Sequence, residues 1–373
     1  MENLGNSCYI NSTLQALFHI PAIAHSLMDG SHEGSKCTYP CIECILVKTI
    51  QECSISSVIK PIEIYRALNF IGNNFVKGRM EDSHEFLLKL LDCVTEQSLA
   101  KYTLGASRRK ESIVQNLFGG TLNQNTVCLK CGNVSSVLQF FLDLQLDIFD
   151  DLENSLSDYF KNETLCDGNE HVYKCEKCKV KVPAVKKFEI KEPPKVLCIQ
   201  LKRFDPMQGK NNTPVRYPEE ISLSKYVSSN ATSVYKLVSL ISHYGGSCNS
   251  GHYTCVGKVS CKEFFIFDDM YARPVSNQEV LHQDSAYILF YEIVRGETEV
   301  LSLTGTSSPQ PSISMPTIGG GKGKIGEQEG EMRTSCEVKM NTIFHTHSNE
   351  RTTAKAALGA NCAGIYILKC RSK

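Results

Sequence analysis

The sequence predicts an α+β fold, because helical periodicity marks its first third and short β-type runs make up most of the remainder. One amphipathic pattern begins just after Asn6-Ser7, which is a plausible helix cap, and stops at Pro21. A second follows Asp82, which forms a capping-box sequence with Glu85. The β-type runs are expected to form an antiparallel sheet region and cover residues 121–127, 134–146, 186–190, 196–204, 234–242, 253–259, 264–267 and 286–292.

The composition argues against a nucleic-acid or membrane partner. The 373 residues carry 40 Lys+Arg and 40 Asp+Glu, with no basic stripe of the kind that follows a phosphate backbone. No apolar run reaches the roughly 20 residues that span a bilayer, and no signal-peptide pattern opens the chain. We therefore expect an intracellular monomer, in the nucleus or the cytoplasm. Its 18 Cys should then stay reduced and serve packing, metal binding or catalysis.

The composition of the sequence changes near Arg295. The residues that follow are rich in Ser, Pro and Gly, show little hydrophobic periodicity and contain no repeat. We therefore expect one folded domain over residues 1–295 and a disordered tail over residues 296–373.

Cys8 is a candidate nucleophile because it stands at the predicted start of the first helix. The thiolate is the attacking form of cysteine, and the positive end of a helix dipole favours it. Considered alone, Cys8 could equally be a buried packing cysteine. The choice depends on which residues the fold brings near it.

A predicted hairpin supplies a base for this thiol. One strand opens at Gly251-His252-Tyr253 and the next covers residues 262–267, with Ser260-Cys261 as the turn. Because positions equidistant from a turn face each other, His252 should lie opposite Asp268 or Asp269. A carboxylate beside an imidazole fixes its tautomer and supports its protonated form. The alternative is a His and two Asp at a solvated strand end, but together with Cys8 the three residues favour a catalytic set.

Several stretches of the sequence share the order and spacing of one known family over residues 1–295. They are Asn3-Leu4-Gly5-Asn6-Ser7-Cys8-Tyr9-Ile10-Asn11-Ser12, Glu81-Asp82-Ser83-His84-Glu85-Phe86, Leu201-Lys202-Arg203-Phe204, His243-Tyr244-Gly245, Gly251-His252-Tyr253 and Phe267-Asp268-Asp269. They resemble the cysteine box, the acidic motif, a palm strand and the histidine box of the ubiquitin-specific proteases. The resemblance implies a papain-like cysteine peptidase with a helical thumb and antiparallel palm and fingers, the fingers covering roughly residues 118–190.

The resemblance also implies roles for individual residues. A deubiquitinating cysteine protease of this family cleaves the isopeptide bond after the C-terminal glycine of ubiquitin, so ubiquitin and ubiquitinated proteins are the expected partners. Cys8 would be the nucleophile, His252 the base and Asp268 the residue that orients the base. Asn3 would donate a hydrogen bond to the oxyanion.

The same matching suggests residues that bind the ubiquitin tail. Asp82 and Glu85 would supply carboxylates for the tail's arginines, and His243 and Tyr253 would line the channel for its glycines. Asp82 could also be a simple helix cap, and the two roles are compatible.

Two Cys-x-x-Cys knuckles predict a metal site. Cys128 with Cys131 and Cys175 with Cys178 each lie between β-type segments, and four thiolates at this spacing suit tetrahedral zinc. A site with four protein ligands leaves no open coordination position, so the zinc would be structural. The alternative is four free thiols. The family's fingers carry such a site, although some members have lost it.

A second group of possible zinc ligands lies in the helical part. It comprises His32, Cys37, Cys41 and Cys44, at a looser spacing. Some family members have cysteines or zinc in this region. Free thiols in an insertion are the alternative.

The sequence departs from the family at its start. Members usually carry further residues, including a Gly-Leu pair, before the cysteine box, whereas Met1 stands seven residues before Cys8. We therefore expect an incomplete N-terminus, with Asn3 poorly held near a frayed end. Three alternative functions stay open: a catalytically silent ubiquitin-binding scaffold of the same fold, a hydrolase of a ubiquitin-like modifier, and an unrelated zinc-organised interaction module.

Overall fold

The computed structural model describes residues 1–29, 37, 40–102, 112–167, 170–205, 207–228, 233–247, 250–260 and 263–294. The expected tail over residues 296–373 and the candidate ligand His32 lie outside these residues. Within them, no helix is long and apolar enough to cross a membrane.

Helices form the first third of the chain, as predicted. They are α1 (Cys8–Phe18), α2 (Pro21–Met28), α3 (Ile42–Ile55), α4 (Ile62–Arg66), α5 (Leu68–Ile71), α6 (Ser83–Tyr102) and α7 (Ile113–Phe118). The two predicted amphipathic helices are α1 and α6. Pro21 both ends the first pattern and starts α2, because a proline fits the first position of a helix, where its missing N–H is not needed.

A large sheet follows, whose strands are β3 (Leu144–Leu146), β10 (Val196–Leu201), β13 (Glu220–Ser222), β14 (Val234–Ser247), β15 (Ser250–Lys258), β16 (Phe264–Asp268), β17 (Tyr271–Val275) and β18 (Ala286–Ile293). Their order is β17-β16-β15-β14-β18-β10-β3, with β13 paired to β14. The pairs are antiparallel except for β10 with β3. This sheet is the palm.

A smaller antiparallel sheet forms the fingers. It has the order β2-β1-β9-β4, built from β1 (Gly120–Cys128), β2 (Val134–Phe141), β4 (Glu163–Thr164) and β9 (Ala184–Glu192). The predicted run 134–146 is therefore divided: β2 belongs to the fingers, whereas β3 pairs with the palm strand β10. Short hairpins complete this region, namely β5 (Cys166–Asp167) with β6 (Glu170–His171) and β7 (Tyr173–Lys174) with β8 (Lys181–Val182).

The remaining elements are α8 (Leu152–Tyr159), a hairpin of β11 (Phe204–Asp205) with β12 (Gly209–Lys210), a 3₁₀ turn at Ser224–Tyr226 and α9 (Asn277–Leu281). Arg203 fixes the base of the β11–β12 hairpin. Its buried guanidinium donates to the carbonyls of Asn211, Thr213, Asp284 and Ala286. Four carbonyl partners satisfy a cation that would otherwise be costly to bury.

The position of α1 explains how the two parts of the fold meet. Every residue of α1 is buried, because the helix lies between α6 on one side and the palm strands β14 and β15 on the other. One apolar cluster joins these elements and includes Leu14, Phe18, Phe86 and Tyr253. The predicted α+β fold is confirmed, and α1 lies along the boundary between the thumb and the palm.

Candidate active site

Cys8 is the first residue of α1 and is buried, which confirms its predicted place at a helix start. The preceding residues Gly5 and Asn6 have left-handed backbones, with φ of +96° and +51°, and this turn directs the chain into the helix. The hydroxyl of Ser7 accepts a hydrogen bond from Leu4 N (2.7 Å). Ser7 thus fixes the loop that carries the thiol and does not act as the side-chain cap that the sequence suggested.

His252 and Asp268 are in direct contact, as predicted. His252 Nε2 lies 2.6 Å from Asp268 Oδ1. In the structure, β15 pairs Lys258 with Phe264, which is one position away from the predicted register. The observed register places Thr254 opposite Asp268, so the Asp268 carboxylate reaches His252 diagonally, two positions along the strand.

The environment of His252 favours its protonated form. Its pKa is raised to about 9, first by the hydrogen bond with the side chain of Cys8 and also by the one with Asp268, while partial burial acts in the opposite direction. Because Nε2 faces Asp268, Nδ1 is the ring nitrogen left for the thiol. An imidazolium beside a cysteine favours the thiolate. The three side chains can therefore form a nucleophile, a base and an orienting carboxylate.

Asn3 is held by hydrogen bonds at both ends of its side-chain amide. Its Oδ1 accepts from the backbone nitrogens of Gly5 (3.0 Å) and Ser7 (3.1 Å). Its Nδ2 donates to Asp269 Oδ2 (2.9 Å). Because an amide NH₂ has two hydrogens, Asn3 keeps a second donor in a fixed orientation.

The chain before Asn3 is also held, so the expectation of a frayed segment there is wrong. The nitrogen of Met1 donates to the carbonyl of Asp269 (2.5 Å), and the side chain of Met1 is buried. Glu2 N donates to the carbonyl of Ile59 (2.8 Å). These bonds connect the segment to both the palm and the thumb.

Asp82 caps α6 and also contacts the palm. Its Oδ1 accepts from the backbone nitrogens of His84 and Glu85, both at 2.9 Å. Its Oδ2 accepts from the hydroxyl of Tyr287 (2.9 Å) and lies 3.5 Å from that of Tyr253. The cap interpretation is therefore correct for Asp82.

The side chain of Glu85 is exposed, and its Oε1 accepts from Asn74 Nδ2 (2.5 Å). The contact with Asn74 replaces the return bond of a capping box, so only half of that predicted motif is formed. The Glu85 carboxylate stands at the surface, close to the cap of α6.

His243 is buried and packs tightly against Gly251. A Cβ added to Gly251 would lie 2.6 Å from His243 Nε2, and one added to Gly245 would lie 2.5 Å from the Gly251 Cα. Tyr253 lies against the same imidazole, with ring centroids 4.6 Å apart. Burial, followed by the charges of nearby cations, lowers the pKa of His243 to about 4. The predicted channel residues His243 and Tyr253 are thus in contact with each other, and the imidazole of His243 is neutral near pH 7.

The four cysteines of the predicted metal site converge in the fingers. The sulfurs of Cys128, Cys131, Cys175 and Cys178 all lie within 4.8 Å of one another. The pairs Cys131–Cys175 and Cys128–Cys178 are 3.7 and 4.0 Å apart. Ligands at a Zn–S distance of about 2.3 Å in a tetrahedron are about 3.8 Å from each other, so the donor set fits zinc.

The two knuckles of this cluster share a backbone conformation. The residue after the second cysteine of each, Gly132 or Lys179, is left-handed, with φ of +69° and +61°. Each of these residues donates its N–H to the carbonyl of the first cysteine of its knuckle. The same turn therefore presents each pair of sulfurs.

A second cluster forms at the start of α3. The sulfurs of Cys37, Cys41 and Cys44 lie within 4.8 Å of one another. Burial, followed by hydrogen bonds with the other two thiols, raises the pKa of Cys44 to about 12. His32, the fourth predicted ligand, lies outside the described residues.

Two residues make contacts at the site that the sequence analysis did not predict. Asp269 binds Asn3 through one carboxylate oxygen and Asn11 Nδ2 (2.8 Å) through the other. Tyr287 links Asp82 to Gln200, whose Nε2 donates to the Tyr287 hydroxyl (2.9 Å). Asn11 and Asp269 both lie inside motifs that the sequence shares with the family, and this is the feature of the sequence that pointed to them.

Comparison with known proteins gives one consistent family. The sequence model described as ubiquitin carboxyl-terminal hydrolase matches residues 1–291. Ubiquitin carboxyl-terminal hydrolase 36 of Drosophila mojavensis is 39% identical over 339 residues, covering 86% of this chain and 28% of the relative. The same-named protein of Drosophila ananassae is 40% identical over 310 residues, covering 79% and 28%. The chain thus spans less than a third of the length of these relatives.

Solved structures agree with the sequence comparisons. A SAGA DUB module containing a Ubp8 variant and bound to monoubiquitin matches with a TM-score of 0.70 and 29% identity, covering 79% of this chain and 69% of the matched chain. The SAGA Ubp8 module bound to ubiquitin aldehyde matches with a TM-score of 0.69 at the same identity and coverage. The expected papain-like fold with thumb, palm and fingers is confirmed. From its sequence and its fold alike, the chain belongs to the ubiquitin-specific protease family of ubiquitin carboxyl-terminal hydrolases.

Proposed function

We propose that this chain is a deubiquitinating cysteine protease that cleaves the isopeptide bond after the C-terminal glycine of ubiquitin. The observation that carries the proposal is the arrangement around His252. One ring nitrogen lies 2.6 Å from Asp268, and the other is left for Cys8, which sits buried at a helix start. Family membership and the ubiquitin-bound structural neighbours support ubiquitin as the substrate.

The reaction follows from the roles of these side chains. His252 takes the proton of Cys8, and the thiolate attacks the carbonyl carbon of the terminal glycine. The second N–H of Asn3 then donates to the oxyanion of the tetrahedral intermediate. As the C–N bond breaks, His252 returns its proton to the leaving lysine amine. Water, deprotonated by the same base, hydrolyses the thioester and releases ubiquitin.

We infer that the two glycines at the end of the tail pass beside His243 and Tyr253, whose ring centroids are 4.6 Å apart. Gly245 and Gly251 allow β14 and β15 to approach closely there, because a Cβ on either glycine would clash with its neighbours. We further propose that Glu85 and Asp82 make the outer cleft acidic for the arginines of the tail, with Asp82 also positioning Tyr253.

We propose a structural zinc ion in the fingers, held by the sulfurs of Cys128, Cys131, Cys175 and Cys178. When bound, it cross-links two hairpins that are more than 40 residues apart in sequence. It has no part in the chemistry of Cys8.

The test uses ubiquitin with a C-terminal electrophile, mixed with the purified chain and analysed by mass spectrometry. A covalent adduct on Cys8 that is absent from Cys8→Ala supports the proposal. Binding without an adduct would favour a silent scaffold. An adduct only with the equivalent probe of a ubiquitin-like modifier would indicate that substrate instead, and absence of both binding and adduct would contradict the ubiquitin assignment.

A further inference from the structure

The order of the palm strands places different surfaces on the two sides of His252. The strand that carries it, β15, has β14 on one side and β16 followed by β17 on the other. His243 and Gly245, beside which the proposed function places the glycines of the tail, lie on the β14 side. The turn that follows Asp268 lies on the β16–β17 side. A substrate whose tail lies on the β14 side and whose scissile bond lies at Cys8 and His252 therefore continues towards this turn.

Two apolar side chains are exposed where the chain leaves. Met270 is 47% exposed and Tyr271 is 74% exposed. Tyr271 is the register partner of Asp268, so both side chains stand on the same face of the sheet. We call Met270 and Tyr271 the acceptor surface.

The acceptor surface is held firmly by its neighbour. Asp269, with φ of +49°, forms the turn together with Met270. Its carbonyl accepts from Met1 N, and its carboxylate accepts from Asn3 and Asn11. Because the turn is fixed at several points, the backbone that carries Met270 and Tyr271 has little conformational freedom left to lose on binding.

We infer that the acceptor surface contacts the polypeptide that carries the modified lysine, on the leaving side of the scissile bond. The inference rests on the proposed function, which places the tail of ubiquitin beside His243 and Tyr253. Beyond the scissile bond, the substrate continues as four methylenes of lysine and then as a polypeptide. A thioether and an aromatic ring suit that aliphatic stem and its flanking residues, and exposed tyrosines of this kind often dominate protein recognition.

The experiment compares two substrates that share ubiquitin and differ in the leaving group. One is ubiquitin with a C-terminal coumarin amide, and the other is ubiquitin joined to the lysine of a labelled decapeptide. The ratio of kcat/KM for the peptide-linked substrate to that for the coumarin amide is measured for the full chain and for Met270→Ala, Tyr271→Ala and Tyr271→Phe. Leu99→Ala is the matched control, because it also removes an exposed apolar side chain, 41% exposed. Leu99 lies 16 residues along α6 from Ser83, which is about 24 Å from the end of the helix that Asp82 caps.

We expect Tyr271→Ala to lower the ratio about fivefold to tenfold, as loss of an aromatic anchor does. Met270→Ala should lower the ratio less. Tyr271→Phe keeps the aromatic ring, so we expect its ratio, like that of Leu99→Ala, to stay near the ratio of the unmodified chain. An unchanged ratio for Tyr271→Ala, whether activity on both substrates falls together or not at all, would overturn the acceptor surface alone. If the unmodified chain cleaves neither substrate, both the proposed function and this inference fail.

Discussion

Asp269 fixes the side-chain amide of Asn3, the candidate oxyanion donor. The bond from Asn3 Nδ2 to Asp269 Oδ2 is 2.9 Å long, and the other carboxylate oxygen accepts from Asn11 on α1. The residue next to Asp268 therefore connects the N-terminal loop, the nucleophile's helix and the palm. Two neighbouring carboxylates thus contact different groups: Asp268 binds His252, the candidate base, and Asp269 binds Asn3, the candidate oxyanion donor.

Replacing Asp269 with Ala should reduce kcat and leave KM nearly unchanged. Without its anchor, Asn3 can turn away from the oxyanion, and a misplaced group of this kind lowers kcat about tenfold to hundredfold. Asn3→Ala should lower kcat about 10²- to 10³-fold. Because Asp269 acts through Asn3, the double variant should be no slower than Asn3→Ala. Independent, multiplicative losses in steady-state kinetics would show that Asp269 acts by another route.

The pH dependence of the reaction should have an alkaline limb set by His252. Its pKa is raised to about 9, chiefly by Cys8 and also by Asp268. Below that value the ring is protonated and can supply the leaving amine with a proton, and above it this form is lost. Asp268→Ala removes one of the raising contributions and should move the limb to lower pH. The check is kcat/KM for the coumarin amide between about pH 6 and 10. If the alkaline limb of Asp268→Ala lies at the same pH as that of the unmodified chain, Asp268 does not raise the pKa of His252.

The parts of the site that sequence reasoning could predict depend on short separations along the chain. The His252–Asp268 contact spans 16 residues across one hairpin, so counting from its turn came within one position of the register. Each Cys-x-x-Cys knuckle is likewise a local turn.

The contacts that sequence reasoning missed depend on tertiary packing. Asn3 and Asp269 are 266 residues apart, and Tyr287 and Asp82 are 205 apart. Only the packing of the thumb on the palm brings these pairs together, and no local pattern encodes it. The motifs include Asn3, Asp82 and Asp269 without indicating their partners, and Tyr287 lies outside the motifs.

Acid should destabilise the fold through His19. This ring is buried, its Nδ1 donates to the carbonyl of Gln15 (2.7 Å), and among the described residues its Nε2 has no partner. Burial lowers its pKa to about 4, although the bond to Gln15 opposes the shift. The folded state therefore binds fewer protons than the unfolded state, and stability is lost as pH falls from about 6.5 towards 4.

His19→Gln should reduce this dependence, because Gln can keep a donor and does not titrate. Between pH 7 and 5, the free energy of unfolding of the unmodified chain should fall by about 2 kcal/mol more than that of the variant. Urea unfolding followed by circular dichroism measures it, since the chain contains no Trp. His243 is present in both proteins, so its own acid contribution cancels. If the free energy of unfolding depends on pH equally in both proteins, His19 has the same pKa in the folded and unfolded states.

Removing metal from the fingers should destabilise the chain without changing the chemistry of the thiol. One zinc per chain is expected from the site of Cys128, Cys131, Cys175 and Cys178. Cys131→Ser should lose it and lower the Tm by about 5 °C or more, because the metal cross-links the two knuckles. Labelling of Cys8 by the ubiquitin electrophile should persist at a temperature where the variant is folded. Elemental analysis counts the metal, and a chain without zinc, or a variant with unchanged Tm, would contradict a structural site.

The same count tests the cluster of Cys37, Cys41 and Cys44. A second equivalent of zinc that is lost in Cys44→Ser would place another ion at this cluster, whereas a count of one zinc per chain would mean that these three cysteines are free of metal.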